Sequence, residues 1–375
     1  MKTAETMKAA AAANTPFTDE ELDLAVSSLQ CLVPDEQDKI DWAALRSLYA
    51  ERAHLTHKDW PTTMDSATQL SSIIGSPDST AFSSIFTRVL EDGNWDAAAR
   101  AAAQRPEASQ PWVVLVTGLN GIRKTTSVHQ PWFKELLRQA LGEQFDGECE
   151  ELPAGTDSFF RQLDYMIATI ALEQFKTLYG LSDGGVDEYA KFKEAIFARY
   201  RTVAEILGVL LVRECQSKKL NVMVETSGRD VGMYQYVDQL FPGESSGYRK
   251  LVLNFGINDI SYAEKSVDTR MEREMKLGQA ALRRVGEECS AEAGVALIRA
   301  NAGGPYGSAV LAGVQADSTR VWQTILQGKE GDVGSSWAKA SIAIDADESK
   351  PWRARAVPSD ASAPKPDTFE FTPPK

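Results

Sequence analysis

"WVVLVTGLNGIRKTT", residues 112–126, decides how the rest of the chain is read. Its first six residues are the unbroken apolar run of a strand buried on both faces, and Gly118 ends it abruptly. From Gly118 the letters follow G-x-x-x-x-G-K-[ST], the loop whose backbone N–H groups cradle phosphate. One letter departs: Arg123 stands where the second glycine belongs. The loop therefore offers Gly118, Asn120, Gly121, Arg123, Lys124, Thr125 and Thr126 as candidate phosphate ligands. In this pattern Lys124 reaches the β- and γ-phosphates and the Thr125 hydroxyl ligates Mg²⁺. Arg123 is expected at the helix entry with right-handed backbone angles, where its side chain either helps hold the phosphates or blocks them. The bland alternative is a glycine-rich strand-to-helix turn with a solvated lysine. Pro131 is expected to shorten or kink the helix that follows.

Working outward, the 375-residue chain is ample for a large domain with appendages, and its net charge of −13 argues against a general electrostatic grip on nucleic acid or anionic membrane. Cys31, Cys149, Cys215 and Cys289 are scattered without metal-binding spacing, which points to reduced thiols and a cytoplasmic setting. No apolar stretch approaches membrane-spanning length.

Residues 1–17 are expected to be a disordered lead. From Thr18 to Gln104 the pattern is helical, opened by the capping box "TDEE" (18–21), and "RPEASQP" (105–111) is expected to be a linker. His54 and His57 sit one helical turn apart with no third ligand in the pattern, so they are taken as surface histidines. After the linker, apolar runs alternate with helical segments. The candidate strands are 112–117, 221–226, 250–256 and 295–300, with a weaker one at 149–153. This alternation predicts an α/β domain over 112–327, a parallel sheet with helices on both faces, preceded by a small all-helical region. From about Gly328 the composition predicts a flexible tail, with Trp337, Trp352 and Phe371 as small anchors.

Further candidates follow the loop in order. "GTDSFFRQ" (155–162), taken as following the second strand, carries Asp157 and Arg161. Asp157 is either a general base for an acceptor hydroxyl or a helix N-cap, and Arg161 either orients substrate or makes a surface ion pair. "NVMVETSGRD" (221–230) ends a strand in Glu225, suited to Mg²⁺ or substrate, with Arg229 as a possible partner. "SVDTRMEREMKLG" (266–278) sets Arg270 and Arg273 on one helical face, as lid arginines or as members of a mixed-charge surface. "RANAGGPYGS" (299–308) either lies against an adenine or is a plain turn.

In this order the motifs resemble those of the zeta-toxin-like P-loop kinases, over roughly residues 112–300. The departures are Arg123, Pro131 and a longer helical insert between Asp157 and Asn221. The resemblance implies a five-stranded parallel sheet with a lid, ATP and Mg²⁺ as cofactors, and transfer of the γ-phosphoryl group to a hydroxyl of a small-molecule or nucleotide-like acceptor. It also implies catalytic roles for Lys124, Asp157, Arg161, Arg270 and Arg273. Two other readings stand beside it: a degenerate nucleotide-binding module, and an interaction protein that binds a partner through its N-terminal helices.

Overall fold

The computed structural model describes residues 4–181, 185–285, 290–328, 333–358 and 365–372. Among the described residues there are seven strands: β1 (Trp112–Thr117), β2 (Ser158–Arg161), β3 (Asn221–Glu225), β4 (Arg249–Ile257), β5 (Ala338–Asp345), β6 (Trp352–Ala356) and β7 (Thr368–Phe371). They form one sheet of order β2-β3-β1-β4-β5-β6-β7. The first five are parallel and the last two antiparallel. All six residues of β1 are buried, as a central parallel strand requires.

From β1 the chain crosses to β2 on one side, and from β3 it crosses to β4 on the other. Because such crossovers are right-handed, this reversal puts the connecting helices on opposite faces and opens a crevice at the carboxyl ends of the strands beside β1. The α/β class with its helical N-terminal region is thus as expected, but the sheet is larger than five strands.

The additional strands correct the tail. Residues expected to be flexible pair as β5, β6 and β7. Ala340, Ile342 and Ile344 bury alternate positions of β5, while Trp352 and Phe371 pack edge to face at 6.3 Å. The named anchors Trp337, Trp352 and Phe371 are all buried. Trp132 stacks on Phe369 at 5.3 Å, and Gln139 exchanges hydrogen bonds with Asp367 at 2.8 and 3.0 Å. These contacts bury apolar surface that the tail could not bury alone.

Two other strand assignments fail. "VALIRA" lies in helix Ala291–Ala300, whose start is fixed by the Ser290 hydroxyl accepting from Ala293 N at 3.2 Å. "CEELP" contains a single 3-10 turn, Cys149–Glu151. The lead is also ordered in part: Ala4–Ala12 is helical and buries Met7.

By contacts the chain divides into two units that ignore the expected boundary near 105–111. One comprises residues 94–161, 215–267 and 308–375 and contains the whole sheet. The other joins residues 1–93 to segments 162–214 and 268–307, which the sequence places in the α/β domain. The reason is apolar and ionic partnering: the insert's buried Arg199 forms a bidentate pair with Glu21, 2.9 and 2.7 Å, and donates to the Thr15 and Pro16 carbonyls. Glu21 also closes the expected capping box with Thr18. In the same unit a fully buried Lys193 donates to Glu274, Asn301 and the Gly303 carbonyl at 2.7 to 2.8 Å.

Cys31 is disulfide-bonded, which corrects the expectation of reduced thiols at that position. Cys149 and Cys215 form no disulfide, and Cys289 lies outside the described residues. Among the described residues no helix is long and apolar enough to cross a membrane.

Candidate phosphate-binding site

The loop from Gly118 to Lys124 leaves β1 at the crevice and enters helix Lys124–Val128. Its two glycines are obligatory. Gly118 has φ +126° and a Cβ there would stand 2.5 Å from the Phe255 carbonyl oxygen; Gly121 has φ +87° and a Cβ there would stand 2.6 Å from the Ala263 carbonyl oxygen. Both conditions exclude a side chain, by conformation and by space. Leu119 and Ile122 point into the core and pin the loop between them.

Arg123 is not right-handed as expected. It sits in the left-handed region at φ +66°, ψ +32°, the conformation for which the pattern's usual glycine is suited. Its side chain is half-buried. Asn120 and Thr126 are also half-buried, and the Thr126 carbonyl accepts from Gln130 at 3.2 Å. The helix is short, ending at Val128 before Pro131, in line with the expected interruption.

Lys124 is buried, with 3% exposure. Its ammonium donates to the carbonyls of Gly118 and Leu119, both at 2.8 Å, and pairs with Glu225 Oε1 at 3.1 Å. Three acceptors match the three protons of the ammonium, which is how a buried cation avoids the desolvation cost of an unpaired charge. Thr125 donates its hydroxyl to Glu225 Oε2 at 3.1 Å. Glu225 ends β3 level with Val116 of β1, and the next residue, Thr226, donates its N–H to the Val116 carbonyl. The partners of Glu225 are thus Lys124 and Thr125, the arrangement that the sequence had suggested for Arg229. Thr125 and Glu225 supply a hydroxyl and a carboxylate, hard oxygen donors that fit Mg²⁺ when phosphate oxygens and water complete its shell.

Below the loop the Thr117 hydroxyl donates to Asn254 at 2.9 Å. Asn254 was missed in the sequence; the signal was one polar residue inside the apolar run "KLVLNFG". Gly228, at φ +72°, packs against Thr117, where a Cβ would meet the threonine Cβ at 2.9 Å. Arg161 is buried at the carboxyl end of β2, level with Val224, and its guanidinium lies 5.0 Å over the Tyr236 ring. The surface ion pair weighed for it is excluded by that burial.

Asp157 is elsewhere. "SFFR" is itself β2, so Asp157 precedes the strand, at the end of the sheet opposite the loop, and not at its top. Ser158 is level with Asn221, and Glu225 lies four residues further up β3, about 13 Å away at the rise of an extended strand. Asp157 pairs with Lys134 at 2.7 Å and accepts from Ala154 N at 2.9 Å. It therefore cannot take a proton at the loop, nor is it the N-cap of a helix over 158–161, since those residues are β2; its carboxylate instead caps the 3-10 turn Gly155–Asp157. His129 packs between Phe160 and Gly155 and contacts the Thr125 carbonyl at 2.7 Å, a structural role.

Arg270 and Arg273 belong to the other unit. Arg270 donates to the Gly304 carbonyl at 2.9 Å, and Arg273 is exposed. The loop after Ala300 follows a helix and lies in that same unit, where Glu274 accepts from Ala302 N at 2.9 Å.

No family model matches the chain, and no curated protein matches it. Among solved structures, the chain is similar to one from the PezAT chromosomal toxin–antitoxin system of the human pathogen Streptococcus pneumoniae, with 10% identity over 70% of this chain and 78% of that chain and a TM-score of 0.33.

Proposed function

We propose that the protein is an ATP-dependent phosphotransferase of the zeta-toxin-like kind, moving the γ-phosphoryl group of ATP to a hydroxyl of a small-molecule or nucleotide-like acceptor. The observation that carries this reading is the triangle of Lys124, Thr125 and Glu225 at the mouth of a loop whose glycines admit no side chain. Magnesium, held by Thr125 and Glu225 together with phosphate oxygens, would supply charge neutralisation at the β- and γ-phosphates. Lys124 holds the transferred group by its ammonium, and the loop N–H groups orient it. The γ-phosphorus to bridging-oxygen bond breaks to leave ADP, a bond to the acceptor oxygen forms, and the acceptor hydroxyl proton passes to solvent water. Arg161 stands at the carboxyl end of its strand, where substrates enter sheets of this class.

The test is calorimetric titration of Mg·ATP into the wild type and Lys124→Ala, followed by incubation with labelled ATP and a panel of nucleosides and nucleotide sugars. Binding that disappears in Lys124→Ala and label transferred to one acceptor class are the expected results. Absence of binding to the wild type would sink the reading. One observation favours a second reading, a degenerate module that serves as a scaffold: all three Lys124 donors already have acceptors within the chain. It predicts a wild type silent to nucleotide.

A further inference from the structure

We propose that Glu225 is a latch that holds the nucleotide-free loop closed, and that a divalent cation releases it, so that nucleotide and cation load together. This rests on the phosphotransferase reading and concerns how that site is filled.

The ammonium of Lys124 is fully engaged by Gly118, Leu119 and Glu225, and both oxygens of the Glu225 carboxylate are in use, one on Lys124 and one on Thr125. A triphosphate arriving alone meets a lysine turned away from it and a carboxylate that repels it. The backbone has little room beside it, because a Cβ built on Gly118 or Gly121 would stand 2.5 or 2.6 Å from the Phe255 or Ala263 carbonyl oxygen. The switch therefore lies in side chains. With a hard cation between the Thr125 hydroxyl and the Glu225 carboxylate, the carboxylate has a stronger partner than the ammonium, and Lys124 is free to turn toward phosphate. Glu225 is then both the anchor of the cation and the gate against nucleotide without it.

ATP is titrated calorimetrically into the full chain, once with magnesium and once with a chelator, for the wild type, Glu225→Gln and Thr125→Val. The wild type is expected to bind ATP at least tenfold more weakly without magnesium. Glu225→Gln has nearly the same shape but no charge to hold the ammonium, and is expected to bind magnesium-free ATP at least tenfold more tightly than the wild type does. Thr125→Val keeps the ion pair and is expected to stay weak without magnesium while losing most of the gain with it. The latch is overturned if the wild type binds ATP equally well in both conditions, or if natively folded Glu225→Gln shows no gain in magnesium-free affinity. If Glu225→Gln does not fold, the wild-type comparison with and without magnesium decides alone. Failure of the wild type to bind ATP in either condition overturns the phosphotransferase reading and the latch with it.

Discussion

The ammonium of Lys124 lies 3.1 Å from Glu225 Oε1 across the crevice between β1 and β3, joining the end of the loop to the end of a strand roughly a hundred residues away in sequence. Removing the lysine alone would strand its partners, since Glu225 would keep Thr125 but the Gly118 and Leu119 carbonyls would lose their donor. Lys124→Met should therefore cost about 1–3 kcal/mol of stability and abolish Mg·ATP binding. Urea unfolding and calorimetry measure the two effects separately. Wild-type affinity in a folded Lys124→Met would remove the lysine from the site.

Arg123 holds a left-handed backbone at φ +66°. That conformation costs a residue with a Cβ about 1–2 kcal/mol, whereas glycine adopts it freely but loses roughly 0.5–1 kcal/mol through the entropy of the unfolded chain. Arg123→Gly should thus be neutral to about 1 kcal/mol more stable, and Arg123→Val clearly less stable than wild type because a β-branched residue suits this region worst. If the guanidinium contributes to phosphate binding, as its place in the loop suggests, Arg123→Gly should bind Mg·ATP several-fold more weakly. A glycine variant that binds more tightly would mean that the arginine obstructs the site.

Gly121 offers a sharper test of the loop. A methyl group there would stand 2.6 Å from the Ala263 carbonyl and 3.0 Å from a Val267 methyl, at a φ of +87°. Gly121→Ala should cost more than about 2 kcal/mol, through strain and the displaced helix that starts at Ile260. An unchanged denaturation midpoint would show that the loop is not confined between β1 and that helix.

Much of this arrangement was legible in the sequence, and the failures have physical causes. β1, β3 and β4 are buried on both faces, so their apolar runs announce them. β2 is only four residues long and its Arg161 is buried against Tyr236, so its letters suggest a polar turn. β5 alternates buried alanine and isoleucine with half-exposed residues, and alanine is too small to register as a strand signal in a polar tail. "VALIRA" is short and apolar, equally suited to strand or helix, and only the Ser290 cap decides between them. In the site, the Gly118 to Thr125 loop and Glu225 follow from local pattern. The position of Asp157 depended on which residues form β2, so one misplaced strand moved a proposed base to the wrong end of the sheet.

That displacement gives its own prediction. A general base for the acceptor contributes about 10²–10⁴-fold to the rate. Asp157 instead pairs with Lys134 at 2.7 Å and accepts from Ala154 N. Asp157→Asn should leave turnover within a few-fold of wild type while lowering stability by about 1–2 kcal/mol. A hundredfold loss of turnover at unchanged stability would contradict the geometry.

Alkaline pH should unfold the protein for an identifiable reason. Burial raises the phenol pKa of Tyr49, Tyr165, Tyr179, Tyr189, Tyr200, Tyr234 and Tyr248, which are seven of the chain's ten tyrosines. Tyr165, the mildest case, is pushed up to about 12 by burial, and the Asp92 carboxylate beside it adds to the effect. An unfolded phenol ionises near pH 10, so between about pH 10 and 12 the unfolded chain releases protons that the folded chain keeps. The contribution to stability is complete below pH 10 and is lost as pH rises through the folded value. Lys193 and Arg105 act in the opposite sense, because burial lowers their pKa, but they are two groups against seven. The urea midpoint should therefore fall steeply above pH 10, with phenolate absorbance appearing cooperatively as the chain unfolds. Gradual phenolate formation near pH 10 at a constant midpoint would mean that these rings are open to water in solution.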